Sequence, residues 1–436
     1  MAASSQGGDG EPDYRYDWPR DSWVVLRTLL LLKSSIAQDT ETSEAGLIQR
    51  HLAFLREARQ RHGLHPFVQR LDPDDGAPRD NWSIQPDGAA LGALTLAEYL
   101  EGLRQAGDPA PDDLLELLRW YVEAIVRDGR NPQVNFQGLP MQDLWEQMTE
   151  RSLFAELVQL AALEAGARLA DQLGLAADAE QWRAQAQAWR RDLDDGWYDP
   201  GRGHFKAHWN AIPPKGFYPG KPSNLDAAAV GGWLYAGGPW APRDPRLLAT
   251  VRRLDDTFRE LYPVNGGLPA GVVLWGRFAE DRWGGVQFDG GNPWPLTTLW
   301  RVRFLYRYAL ALVEDTLREH GSVAWVPGED DFLRQLGIEA ERGSPSAVVG
   351  AVWDVADRTL EHLLAHLRTG ENLPEQLDRT TGEPRGARNL TWANAELLMT
   401  VRDQRELQTA LERAAAGLEA PTFQRELRDD RSARFI

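Results

Sequence analysis

From one end of the chain to the other, apolar residues recur at i, i+3, i+4 and i+7, the spacing that gathers them on one face of an α-helix. The pattern runs through stretches near 20–37, 43–62, 87–106, 112–128, 150–172, 176–193, 223–236, 245–262, 292–317, 346–368, 389–402 and 404–418. In one of them Leu153, Leu157 and Leu160 share a face, and the Ala-rich stretch 176–193 favours helix throughout. Twelve helices are therefore expected. Longer segments rich in Gly, Pro and aromatic residues separate alternate helices, at 64–86, 129–148, 197–222, 263–293 and 369–388. Loops of that length in a compact domain usually carry function. Twelve helices with a long loop after every second one predict an all-α (α/α)6 barrel, a toroid of six helical hairpins whose loops build a pocket at one end. Three separate bundles would give the same count, but no polar, low-complexity linker marks a boundary. Residues 1–436 are read as a single domain, with 1–12 expected to be disordered.

Composition narrows the partners. A net charge of -17 argues against nucleic acid or an anionic membrane, both of which need a basic face, and fits a neutral substrate better. The most apolar run, Trp23 to Leu32, is far shorter than the roughly 20 residues that span a bilayer, so it reads as a buried helix. Residues 1–12 are small, polar and acidic, without the pattern of a signal peptide. A cytoplasmic location is favoured, with a processed secreted form as the alternative. With no Cys there is no disulfide framework, thiolate metal site or cysteine nucleophile. The eight histidines are read as scattered, with no His-x-x-x-His or His-Glu-x-x-His pattern, so neither a metal nor a cofactor is expected. Trp, at 18, outnumbers Phe and Tyr. More than half of these indoles should fill core, and the rest suit the faces and hydroxyls of sugars.

Two acidic segments stand out, Asp143-Leu144-Trp145-Glu146-Gln147 and Pro374-Glu375-Gln376-Leu377-Asp378. Each sets one carboxylate beside aromatic and amide side chains. Direct attack of water on a glycosidic bond needs a protonated carboxylic acid for the leaving oxygen and an ionised carboxylate, on the other face of the sugar, to activate water. Glu146 beside Trp145 would sit in an apolar setting that disfavours ionisation, as an acid requires. Glu375, among Gln376, Asp378 and Arg379, has polar neighbours that would hold it ionised. Taken alone, either glutamate is more often a solvated loop carboxylate, and Arg20-Asp21 is as readily a helix cap with a salt bridge.

In company these residues carry more weight. Five segments, Tyr14 to Asp21, Trp82 to Leu91, Asp143 to Phe154, Gly276 to Trp294 and Glu375 to Trp392, together resemble glycoside hydrolase family 15, the glucoamylases and their relatives, in the family's order. The resemblance implies that Glu146 matches the general acid and Glu375 the general base. It implies that Arg20, Asp21, Leu144, Trp145, Arg277 and Trp392 line the subsite of the non-reducing-end glucose. Tyr14, Trp18, Trp82 and Trp294 would form aromatic walls, with Tyr14 near the charge that develops at the anomeric carbon. The reaction implied is hydrolysis of a terminal α-glucosidic bond with inversion.

The chain also departs from the family. Gln147 stands where many relatives have a second Glu that contacts the leaving-group sugar, which opens the choice of linkage. Neither a starch-binding module nor an N-terminal β-sandwich is recognisable, so short α-linked gluco-oligosaccharides are the expected substrates. A member specialised for isomaltose, dextran-type or trehalose linkages is the alternative within the class. A catalytically silent sugar-binding or regulatory domain is the alternative outside it, and the presence of both glutamates and of Arg20-Asp21 argues against silence. The sequence leaves the oligomeric state open.

Overall fold

The computed structural model describes residues 14–32, 44–79, 83–132, 135–136, 138–213, 220–283, 290–319, 323–339, 344–367 and 372–416. The expectation of disorder at 1–12 and the wall residue Trp82 lie outside the described residues.

Six helices form an inner ring: α1 (Pro19–Leu32), α3 (Pro86–Ala106), α5 (Leu153–Gln172), α7 (Ala228–Tyr235), α9 (Pro295–Arg318) and α12 (Thr391–Ala416). Each packs on the next in that order, and α12 returns to α1, so the ring is closed. Helices α2 (Glu44–His62), α4 (Asp112–Asp128), α6 (Ala176–Gly196), α8 (Pro245–Leu261) and α11 (Pro345–Ala365) lie outside it, joined by a short α10 (Glu329–Gln335) that packs on α8. The expected (α/α)6 barrel is the fold.

The two kinds of helix differ in sequence because they meet different surroundings. Helix α5 is touched by α3, α4, α6 and α7 and buries sixteen of its twenty residues, so it is apolar all round. Outer helices such as α4 bury one stripe, Leu114, Leu117, Leu118, Tyr121, Val122, Ala124 and Ile125. Large side chains fill the core, among them the fully buried Trp23, Trp275 and Trp300. Small residues make room for them: a Cβ on Gly92 would stand 2.6 Å from the Trp23 indole nitrogen. Helix starts are marked by side-chain caps, as where Ser152 accepts the N–H of Ala155 and Asp244 that of Arg246.

Three boundaries differ from the sequence expectation. The stretches 389–402 and 404–418 form one helix, α12. The polar run Arg402-Asp403-Gln404 reads as a break, but Asp403 is buried and paired with Arg303 and Arg307 of α9. Helix α10, of seven residues, carries too little periodicity to be seen in the sequence. Helix α7 starts at Ala228 rather than near 223, because Asn224 has a left-handed φ of 55° and Asp226 accepts the N–H of Ala228. Short antiparallel hairpins stiffen three of the long loops: β1 (Asn135–Phe136) with β2 (Leu139–Pro140), β3 (Tyr198–Asp199) with β4 (His204–Phe205), and β5 (Gln376–Leu377) with β6 (Pro384–Arg385).

Candidate active site

The segment Asp143 to Met148, between β2 and α5, is a tight turn, with Asp143 N–H donating to the Met148 carbonyl at 2.9 Å and Glu146 N–H to the Asp143 carbonyl at 2.9 Å. Glu146 sits at its tip with φ 61°, a left-handed conformation uncommon outside glycine. A buried charge cluster holds the turn in place. The Asp143 carboxylate accepts the N–H groups of Gln147 and Met148 at 3.0 and 3.2 Å through one oxygen, and pairs with Lys221 Nζ at 2.8 Å and His208 Nε2 at 3.1 Å through the other. Lys221, with no exposed surface, also reaches Asp226 at 2.7 Å, and Asp226 accepts the Trp145 indole N–H at 3.0 Å. Strain at a reacting group, sustained by a rigid support, is common at functional sites.

Trp18, Gln69 and Arg20 face the Glu146 carboxylate. Trp18 Nε1 lies 3.0 Å from Oε1, and Arg20 Nη2 lies 3.8 Å away. Burial pushes its pKa above the ordinary value, and the charge of Asp21 adds to the shift; Arg20 and the Trp18 hydrogen bond oppose it. The net effect favours the protonated state that a general acid needs. The poorly hydrated setting expected of Glu146 is present, with burial as the largest cause of the shift. The Trp145 indole N–H is turned to Asp226, and its ring lies among Trp294, Trp300 and Trp392.

Glu375 opens the β5–β6 hairpin on the other side of the pocket. Its Oε1 accepts Tyr14 Oη at 2.9 Å and Trp283 Nε1 at 3.0 Å, and its Oε2 accepts the Ala387 N–H at 3.1 Å. Burial raises its pKa, while those three donors and the charge of Arg277 favour the ionised form. The polar neighbours in sequence do not take part. Gln376 binds Asn292, Asp378 caps the hairpin turn through the N–H groups of Thr380 and Thr381, and Arg379 is held at the Leu261 carbonyl. Alternation along an extended backbone turns adjacent side chains away from Glu375. The hairpin can approach so closely because residue 386 is glycine: its φ is +70°, and a Cβ there would collide with Glu375 Oε2.

Between the two glutamates is a cavity of about 420 Å³ lined by Tyr14, Trp18, Arg20, Asp21, Leu144, Trp145, Gln147, Arg277, Trp294 and Trp392, together with Arg70, Arg282, Trp283 and Leu390. All the expected site residues except Trp82 thus meet in one place. Arg20 is fixed by Asp21 at 3.0 Å, the Leu144 carbonyl at 3.0 Å and Gln85 at 3.1 Å, and its guanidinium lies 5.2 Å from the Trp392 ring centre. Arg277 is forked onto the fully buried Asp281 and lies 4.9 Å from the Trp294 ring centre. These arginines present fixed donors beside apolar faces, a surface that suits hydroxyls alternating with C–H groups. The Gln147 Oε1 is buried with no hydrogen-bond partner among the described residues.

Several contributors lay beyond the sequence reading. Trp283 falls inside a quoted segment, but nothing distinguished it from its neighbours. Lys221 is a single lysine between Gly and Pro in a loop, and of its two aspartate partners Asp226 is five residues away while Asp143 is 78 away. The histidine reading also missed a pairing: His362 and His366 stand four residues apart on α11.

Comparison with known proteins agrees with this site. The sequence profile of glycosyl hydrolases family 15 matches residues 1–402. The glucoamylase of Blastobotrys adeninivorans is 26% identical over 420 residues, covering 91% of this chain and 66% of that protein's own length. The intracellular, sporulation-specific glucoamylase of Saccharomyces cerevisiae is 25% identical over 435 residues, covering 88% of this chain and 74% of its own. Among solved structures, the glucoamylase from Saccharomycopsis fibuligera matches with a TM-score of 0.76 at 22% identity, over 94% of this chain and 89% of that one. The profile runs through both candidate glutamates and nearly every helix, and the chain belongs to glycosyl hydrolases family 15.

Proposed function

We propose that this family 15 chain, acting as one catalytic domain, is an inverting, exo-acting hydrolase that releases β-D-glucose from the non-reducing ends of α-linked gluco-oligosaccharides. The observation that carries the proposal is a pair of glutamates facing one pocket lined by arginines and indoles. Burial raises the pKa of both; the Arg20 charge and the Trp18 hydrogen bond offset it in part at Glu146, and three hydrogen-bond donors with the Arg277 charge offset it in part at Glu375. In this reading Glu146 donates its proton to the glycosidic oxygen as the bond breaks. The resulting carboxylate is met by Arg20 and the Trp18 N–H. Glu375 takes a proton from the attacking water on the opposite face of the sugar, which gives inversion. Asp21 and the arginines Arg20 and Arg277 would bind hydroxyls of the terminal glucose, and the indoles would pack on its faces.

Linkage is the less constrained part. Gln147 offers a neutral amide where a carboxylate is common in the family, so isomaltose, dextran-type and trehalose linkages stand as alternatives to α-1,4. Among the described residues no helix is long and apolar enough to cross a membrane. A cytoplasmic location is part of the proposal, supported by the yeast relative named as intracellular. The proposal is tested by Glu146→Gln and Glu375→Gln. Each should keep the helical circular dichroism spectrum and lose about 10² to 10⁴ in rate, the scale of general acid–base catalysis. In the parent, proton NMR during the first turnovers of an α-linked disaccharide should detect β-glucose first. Activity within threefold of the parent in either variant, or α-glucose appearing first, would reject the assigned roles.

A further inference from the structure

We propose that His362 and His366 form a binding site for one divalent transition-metal ion of the Zn²⁺, Ni²⁺ or Cu²⁺ class, outside the catalytic pocket. Helix α11 ends at Ala365, so the two histidines straddle its last turn, four residues apart and on one face. Their Nε2 atoms are 3.3 Å apart, and the rings are nearly perpendicular, at 87°. Two metal–nitrogen bonds of about 2.05 Å drawn from atoms at that separation meet at about 107°, close to the tetrahedral angle preferred by zinc. The two Nε2 atoms are therefore close enough to bind one ion between them. Both rings are half-buried, and burial holds both below the ordinary histidine pKa, His362 further lowered by its neighbour. Neutral imidazole is the form that binds metal.

The competing interaction is a hydrogen bond from one Nε2–H to the other Nε2. It can satisfy only one of the two lone pairs, whereas a metal ion uses both once each proton is carried on Nδ1. Imidazole ligands select zinc, copper and nickel over magnesium or calcium, with copper tightest. Among the described residues no third Cys, His, Asp or Glu completes a cluster. The remaining positions therefore fall to water or to an external ligand, which makes this an open site of modest affinity.

The location gives such an ion a structural consequence. The His366 ring lies against Gly382 in the turn of the β5–β6 hairpin, where a Cβ would collide with it. That hairpin starts just after Glu375 and ends just before Ala387, which donates to Glu375 Oε2. An ion fixing His362 to His366 would lock the ring that the hairpin turn rests on. Occupancy should therefore protect the turn around residues 378–383 from hydrogen exchange.

The test uses tag-free full-length protein and Zn²⁺ alone. Calorimetric titration at pH 7.5 should give one Zn²⁺ per chain, weakened at least tenfold in both His362→Gln and His366→Gln, with the zinc-dependent rise in Tm lost in each. With Cu²⁺, electron paramagnetic resonance of the parent should report nitrogen ligation that disappears in the double variant. Should a variant fail to fold, NMR line broadening by substoichiometric Cu²⁺ in the parent decides instead. Broadening centred on residues 362–366 and 378–383 supports the site. No binding of Zn²⁺ by the parent, equal binding by the variants, or broadening centred on other histidines overturns it.

Discussion

Replacing Lys221 by Met removes an ammonium that is wholly buried between two carboxylates, 2.8 Å from Asp143 and 2.7 Å from Asp226. Methionine fills most of the volume, so the loss is chiefly electrostatic. Removing one partner of a buried ion pair leaves an uncompensated charge and costs about 3–5 kcal/mol, and here two carboxylates are left. The cost should depend on pH in a definite sense. Burial alone would lower the Lys221 pKa, but the two aspartates outweigh it and raise it. Its contribution is therefore complete below the unfolded value, about 10.4, and fades as pH rises through the higher folded value. Asp143 goes the other way: despite burial, Lys221 and His208 hold its carboxyl well below the usual carboxylate range. Its contribution is complete above about pH 4 and fades as pH falls towards the folded value. In the variant, Asp143 loses the ammonium that keeps it ionised and takes up a proton far more readily. The deficit should be about 3–5 kcal/mol near pH 7 and shrink as pH is lowered towards 5. Urea unfolding of parent and variant at pH 5, 6 and 7.5 measures it. The acid turn should loosen too, so the surviving activity should fall in kcat more than it rises in KM. A deficit below about 1 kcal/mol at pH 7.5, in the range of an exposed ion pair, would refute the reasoning. So would a deficit that did not change with pH.

Two further outcomes bear on the base. Trp283→Phe removes a hydrogen bond to Glu375 Oε1 that favours ionisation, so the acid limb of the kcat/KM profile should move to higher pH, while Trp283→Tyr should restore part of the shift. Gly386→Ala drives a methyl group into Glu375 Oε2 at a left-handed position; activity should fall at least 100-fold with the far-ultraviolet circular dichroism unchanged, and a variant within tenfold of the parent would show that the hairpin can retreat.

The periodicity gave away the ring because an inner helix must be apolar on nearly every side and an outer one on a single stripe. It misread α12 for a related reason. A buried charge such as Asp403 looks like a surface residue until the arginines of α9 that neutralise it are known, and those lie about 100 positions away. The same limit applies to the site. Residues proposed to touch sugar, such as Arg20 with Asp21 or the indoles, sit in segments recognisable by chemical type. Support groups such as Lys221 and Asp226 are recognisable only through their partners. Glu375 carries the sharpest version of this lesson: its sequence neighbours were expected to set its charge, and the groups that do so are Tyr14, Trp283 and the Ala387 N–H.

The closed ring has a consequence for the order in which this protein is made. Tyr14 and Glu375 meet across 361 positions of chain, and α1 finds α12 only when the last long helix exists. Ring closure over so many residues carries a loop entropy that nothing local repays, so it belongs to the late stage of folding. A nascent chain lacking α12 would hold most of its helices and a gap between α1 and α9, with apolar flanks exposed. Such an intermediate already holds both the Glu146 turn and Glu375, but the hairpin after Glu375 leads into the missing helix. Competence would therefore wait on closure of the seam between α1 and α12, and an incomplete ring would be marked by its open flanks before it could act on any glycoside.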